Sequence, residues 1–415
     1  MYSPRRVVST CLAFLLFGAH LHLNAQQPAP VETELSMQHV FESASLLDPT
    51  IQAAEKRMAA LQARRNAANA WTREPLAFEG AYRSDRSYNN QGLREIELGL
   101  SAPLWNWKER ARTQELRDTE VELARLQLEQ ARLELAGAVR QTVWNALAAR
   151  VDLELAQTRS STTRRLMRDV EKRVAVGELA QTDFYLASAS YQQSMAELAR
   201  TQSLIKDLAV DFEALTGLPV STISALRTEQ GEPQAEFQAD QHPAIKLAQL
   251  QVQALQLQGA LVASQQRANP EVGVAIVSDR GSFAAGSERS LMLSTRIPLG
   301  NAAEYESRVF QAESEQIAAQ AALSQTKRRL AAQSHAARAG LNLFAQIRNA
   351  AQEQARLANT TYRLYKKSFE LGETDLPTLL QTEQKAHEAA RLARKSEIEY
   401  AAKVSNYQQA LGFLP

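Results

Sequence analysis

Five punctuation residues recur at one fixed interval, and that interval limits what the chain can become. Pro75 and Pro270, Pro103 and Pro298, Asn106 and Asn301, Gly177 and Gly372, and Gly217 and Gly412 are each 195 residues apart. Asp48-Pro49 and His242-Pro243 pair at 194. Proline and glycine end helices and strands for steric reasons, so a fixed interval between them means that one series of elements is laid down twice. Solenoid repeats are about 20–50 residues long, so this is a duplicated half-protein rather than a repeat array. The boundaries fall at 26–227 for the first repeat and 242–415 for the second. Residues 228–241, with Glu229, Glu232, Glu236 and Asp240, form an acidic linker between them.

Most of each repeat reads as helix. Residues 109–176 hold no proline and one glycine, Gly137; residues 304–371 hold no proline and one glycine, Gly340. Each run would make a rod about 100 Å long at ~1.5 Å per residue. Val121, Ala124, Leu128, Ala131, Leu135 and Ala138 recur at alternating three- and four-residue steps, a coiled-coil seam. Ala319, Leu323, Thr326 and Leu330 continue the pattern in the second repeat. A return helix of about 36 residues and an incoming helix at 51–71 match the long rod when stacked end to end. Ser36 stands where it can cap the first helix.

Two stretches per repeat break the helical period. In 76–86, Leu76, Phe78, Gly80 and Tyr82 alternate with Glu79 and Arg83; in 93–104, Ile96, Leu98, Leu100 and Ala102 alternate with Glu95 and Glu97. Residues 271–279 and 290–299 repeat the alternation. Period two over about ten residues marks a strand with one apolar and one polar face, long enough to cross a bilayer when tilted. Residues 1–25 read as a secretory signal, with Arg5-Arg6 before an apolar run and Ala25 at its end. The single cysteine, Cys11, lies inside that run, so neither a lipid anchor nor a disulfide is expected. No later stretch suits a transmembrane helix, so a membrane crossing must use strands.

Forty-seven basic and 46 acidic side chains leave a net charge of +1, which gives no basic excess for nucleic acid. No metal-ligand spacing, phosphate loop or nucleophile elbow occurs, and no cofactor or enzyme activity is expected. The expected fold is mainly α with a β-barrel contribution. Four strands cannot close a barrel, and open edges in hydrocarbon leave backbone groups unpaired. Three chains would supply twelve strands and a ring of helices, a water-filled conduit whose barrel lumen carries Glu79, Arg83, Glu95 and Glu97.

The order of local motifs resembles the TolC family of outer-membrane efflux channels across the mature chain. These motifs are Leu35-Ser36, Asp48-Pro49-Thr50-Ile51, Leu100-Ser101-Ala102-Pro103-Leu104, Arg173-Val174-Ala175-Val176-Gly177 with Thr182-Asp183, Gly372-Glu373 with Leu379-Leu380, and Ala410-Leu411-Gly412-Phe413-Leu414-Pro415. The turns look more like those of the CzcC-like heavy-metal branch than the multidrug type. The resemblance implies a homotrimer in outer-membrane lipid and a helical tunnel in the periplasm. It also implies docking to a periplasmic adaptor (membrane fusion protein) and an inner-membrane pump of the RND type. It implies a periplasmic gate at the helical tips, with Thr182 and Asp183 at the first turn. At the second turn, family members carry a tyrosine and an arginine where this chain has Phe369 and Thr374; Asp375, or the group Arg363, Lys366 and Lys367, is the substitute polar partner expected there. The tips around Gly177, Leu179, Gly372 and Leu376 are the expected adaptor contact, with Val176, Leu179, Leu371 and Leu376 exposed. Two other readings stay open: a soluble periplasmic coiled-coil scaffold or adaptor, and the exit channel of a type I protein secretion system. The cargo, whether metal ion, drug or polypeptide, is not written in the sequence.

Overall fold

The structure is a computed structural model that describes residues 36–225, 229, 235–300 and 302–415. The leader at 1–25, Glu232 and Asn301 lie outside the described residues. The first repeat runs α1 (Met37–Leu47), α2 (Pro49–Ala67), β1 (Ala77–Ser84), β2 (Arg94–Pro103), α3 (Glu109–Ala175) and α4 (Gln181–Thr216). The second runs α5 (Pro243–Ser264), β3 (Glu271–Arg280), β4 (Glu288–Arg296), α6 (Ala302–Glu370) and α7 (Leu376–Leu411). At 67 and 69 residues, α3 and α6 are each a rod about 100 Å long. Among the described residues no helix is long and apolar enough to cross a membrane.

Local chemistry explains the breaks. The Ser36 hydroxyl accepts the His39 N–H at 3.2 Å and starts α1. Asp48 ends α1 and caps α2, accepting from the Thr50 N–H at 2.7 Å. At the matching position of the second repeat, His242 Nδ1 accepts the Ala244 N–H at 3.2 Å. Gly177 and Gly372 turn the long helices back at φ +80° and +78°, a left-handed conformation that costs glycine nothing. Two boundaries differ from expectation. α2 stops at Ala67 rather than at residue 71, in a turn where Asn69 and Ala70 accept from Arg110 and Trp105. Along α3 the buried stripe leaves the expected seam: Ala138 is exposed, while Ala136, Val139, Val143 and Ala146 are buried. A straight helix drifts relative to a 3.5-residue repeat, so the buried row shifts by about one residue over several turns.

The long helices pack as two antiparallel pairs, α3 with α4 and α6 with α7, while α5 lies against both α3 and α6. The main core gathers α1, Val139, Val143, Trp144, Phe212 and Ile223. The strands form one antiparallel sheet in the order β1-β2-β3-β4, so the two hairpins join through β2 and β3. β1 and β4 are its edges.

Candidate channel wall and periplasmic tip

The register builds two opposite surfaces on the sheet. Phe78 lies opposite Leu100, Leu100 opposite Val274, and Val274 opposite Leu293; Gly80, Leu98, Ile276 and Leu291 form the next row. This band is uncovered by the chain's own helices: Phe78 is 72 % exposed and Leu291 74 %. Hydrophobic residues in contiguous rows on a free surface mark a surface made for lipid or protein. The other face carries small and polar residues. Its rows are Glu79, Gly99, Ala275 and Met292, then Arg83, Glu95, Asp279 and Glu288. Arg83 stands 3.7 Å from Glu95, and the Ser101 hydroxyl donates to Glu79. Glu79, Arg83, Glu95 and Glu97 therefore share the face opposite the apolar band. The close approach of the strands there requires small residues. A Cβ on Gly99 would lie 2.7 Å from that of Ala275 and 2.9 Å from the Val274 carbonyl oxygen.

Below the sheet a buried carboxylate joins the repeats. Glu109, wholly buried at the start of α3, accepts from Gln265 Nε2 at 2.7 Å and from Asn269 Nδ2 at 2.6 Å. The Asn106 N–H donates to it at 3.1 Å, and the Arg73 guanidinium stands 3.5 Å away. Half-way down, Arg140 is 1 % exposed and holds the linker. Its Nε donates to Glu229 Oε2 at 3.0 Å and its Nη2 to Oε1 at 2.5 Å, while Nη1 donates to the Phe413 carbonyl at 3.0 Å. A third cluster joins α3, α4 and α7. Arg159 donates to Glu197 at 2.9 Å and stands 3.7 Å from Glu383, and His387 Nε2 lies 3.5 Å from Glu197. Burial pushes the Glu383 carboxyl up and the His387 imidazole down. Burial also works against ionisation of Glu197, but the Arg159 hydrogen bond and the nearby His387 hold it below the usual carboxylate value. None of these three clusters was read from the sequence. The available signal was a charged residue inside a heptad seam, where Arg140 follows Val139 and Arg159 stands between Ala156 and Thr163.

At the far end, Val170, Ala187, Phe369, Leu376 and Leu379 form a small core that ties the two helical hairpins together. Leu376, expected at the surface, and Phe369, a gate candidate, are inside it. Leu376 is 1 % exposed and Phe369 2 %, and Leu179 packs against the same core. The αL turns fold Leu179 and Leu376, which follow the glycines, back onto the helix the chain has left, while Phe369, on α6 before Gly372, packs against the other hairpin beneath Arg173. Val176 and Leu371, beside the glycines, are the exposed apolar residues of the turns. Arg173 fastens the two turns: its guanidinium lies 4.9 Å over the Phe369 ring, donates to the Phe369 carbonyl at 3.3 Å and to Glu178 at 3.0 Å. The Asp183 carboxylate accepts the Ala180 N–H at 3.1 Å, so it caps α4. Asp375 caps α7, accepting from Thr378 at 3.3 Å; Thr374 donates to the Ser368 hydroxyl at 2.7 Å. Thr182 is exposed beside them. Among the described residues no His/Cys/Asp/Glu group could hold a metal ion.

Residues 40–218, nearly the whole described first repeat, match the outer membrane efflux protein family. That match covers 179 of the 415 residues and lies within the first repeat. No curated protein matches the sequence. Solved structures share the fold over most of the chain. The outer membrane protein VceC from Vibrio cholerae is 16% identical with a TM-score of 0.73, covering 91% of this chain and 96% of its own. The open-state MtrE outer membrane channel of Neisseria gonorrhoeae is 16% identical with a TM-score of 0.70, covering 91% and 88%. The CmeC outer membrane channel of Campylobacter jejuni is 14% identical with a TM-score of 0.70, covering 91% and 85%. The family matched in the first repeat is described as one of outer membrane efflux proteins.

Proposed function

We propose that three copies of this chain close a twelve-stranded barrel that continues into a helical tunnel, the passive exit duct of a tripartite efflux system. The observation that carries this reading is the sheet: an uncovered apolar band on one face, small and polar residues on the other, and two unpaired edges. In hydrocarbon each unpaired backbone group costs several kcal/mol, so an open four-stranded sheet must find neighbours. Twelve strands exceed the eight whose interior is filled by side chains, so the polar face encloses water. A soluble scaffold would cover the band with its own helices, which this chain does not do. The tips around Gly177 and Gly372, with Val176 and Leu371 exposed, are the surface offered to an adaptor below, which connects the duct to an inner-membrane pump of the RND type. Asp183, with Thr182, Thr374 and Asp375, lies at the narrow end where three chains converge. Three carboxylates there would repel anions and attract cations.

The test is fractionation followed by reconstitution. The protein is expected in the outer-membrane fraction as a heat-modifiable trimer that produces conductance steps in planar bilayers. A monomer released by osmotic shock, folded without detergent, would overturn the reading.

A further inference from the structure

The internal duplication shows how one copy meets the next. Inside the chain, the first repeat meets the second through β2 against β3 and through α3 against α5 and α7. Several positions on these joining surfaces are buried, while their repeat-mates 195 residues away are exposed. Glu109 is wholly buried but Glu304 is exposed; Arg140 is buried but His335 is exposed. Ser405 on α7 is 0% exposed, whereas Val210 on α4 is 68% exposed. The second repeat thus carries an uncovered version of the first repeat's joining surface, and the first repeat carries an uncovered version of the second's. The twelve-stranded trimer above, on which this rests, requires β4 of one copy to pair with β1 of the next, and we propose the register of that pairing: Leu293 of one copy opposite Tyr82 of the next.

The register follows from the pairings inside the chain. Ala77 lies opposite Ser101 in the first hairpin and Glu271 opposite Arg296 in the second. These pairs superpose when β1 is advanced 194 residues onto β3 and β2 is advanced 195 onto β4. Applying the same shifts to the β2–β3 pairing, in which Leu98 lies opposite Ile276, sets Leu293 of one copy opposite Tyr82 of the next. Ser294 then faces Ala81, Thr295 faces Gly80, and Arg296 faces Glu79. Two independent features of this solution agree with the chemistry. It sets apolar Leu293 beside apolar Tyr82 on the lipid face, and a slip of one residue would reverse every side chain. It also brings Arg296 to Glu79 on the polar face, an opposite-charge cross-strand pair. The same operation lays α6 against α4 and α2 of the next copy, covering Val210 and the exposed Leu357 and Leu364 of α6. The contact is head-to-tail, and it closes only as a ring.

The experiment is disulfide trapping in the full-length protein, whose one cysteine, Cys11, lies in the leader segment. Ala81→Cys with Ser294→Cys in one chain is expected to give a covalent trimer on non-reducing gels after mild oxidation. The sites lie on opposite edges of one sheet, three strand spacings of about 4.8 Å apart, so an intrachain bridge is out of reach. Glu79→Cys with Ser294→Cys and Arg83→Cys with Ser294→Cys are the slipped controls, expected at a tenth of that yield or less. A heat-modifiable trimer that cross-links best in a slipped pair would overturn the register and leave the trimer standing. Absence of any oligomer would overturn the duct reading itself. As a second readout, Arg296→Glu is expected to lower the temperature at which the trimer dissociates on gels, and Glu79→Arg in the same chain to restore it. Failure of that rescue would also count against the register.

Discussion

Replacing Arg140 by methionine removes a guanidinium that nothing else in the fold can supply. Its partner Glu229 keeps only 12% side-chain exposure, so the carboxylate would be left in a nearly dry site. Breaking a buried ion pair from one side costs about 3–5 kcal/mol, and the residual exposure together with the Ser405 hydroxyl places this case near 3. The Phe413 carbonyl and the Gln409 side-chain oxygen also lose a donor, which adds about 1 kcal/mol each. The single variant should therefore lose about 5 kcal/mol, measured as the shift in urea midpoint of the detergent-solubilised protein followed by circular dichroism. The informative comparison is the double variant Arg140→Met, Glu229→Met. It removes the stranded charge and should recover about 3 kcal/mol, roughly a hundredfold in the unfolding equilibrium. A double variant no more stable than Arg140→Met alone would refute the argument, because the cost would then lie in packing or in the Phe413 and Gln409 contacts.

Acid should weaken the helical part through two histidines. Burial holds His242 and His387 below 6.5 in the folded chain, with Arg159 adding to the shift at His387. The unfolded chain then binds the extra protons, so this contribution is full above 6.5 and is lost as pH falls through the folded values. Glu383, pushed above 4.5 by burial, acts in the opposite sense: its contribution is full below 4.5 and is lost as pH rises through its folded value. His242→Asn with His387→Gln should flatten the fall in urea midpoint between about pH 7 and about pH 5; an unaltered slope would exclude the histidines as its source. Gly99→Val should cost at least 1–3 kcal/mol, approximately the range for overpacking, since its Cβ would meet strand backbone. The readout is recovery of trimer from the outer membrane, and wild-type recovery would show that the strands can separate there. Asp183→Ala should raise single-channel conductance, and an unchanged value would remove Asp183 from the gate and leave it as the cap of α4.

The sequence by itself determined the elements and their order. Helix and strand periods are local, and so are caps and glycine turns, so Ser36, Gly177, Gly372 and the alternating rows of 76–86 and 93–104 declared themselves without a partner. Two copies of one punctuation pattern pointed in the same way to a duplicated series of elements. The pairing of β2 with β3 was decided only by the tertiary structure, since an edge strand offers the same backbone groups to any neighbour. The burial of Phe369 and Leu376 was decided in the same way, by two hairpins meeting at their tips. Arg140 and Glu229, 89 residues apart, meet for the same reason. A charge in a helical seam looks alike whether it faces water or a carboxylate, and only the arrival of a distant segment excludes the water.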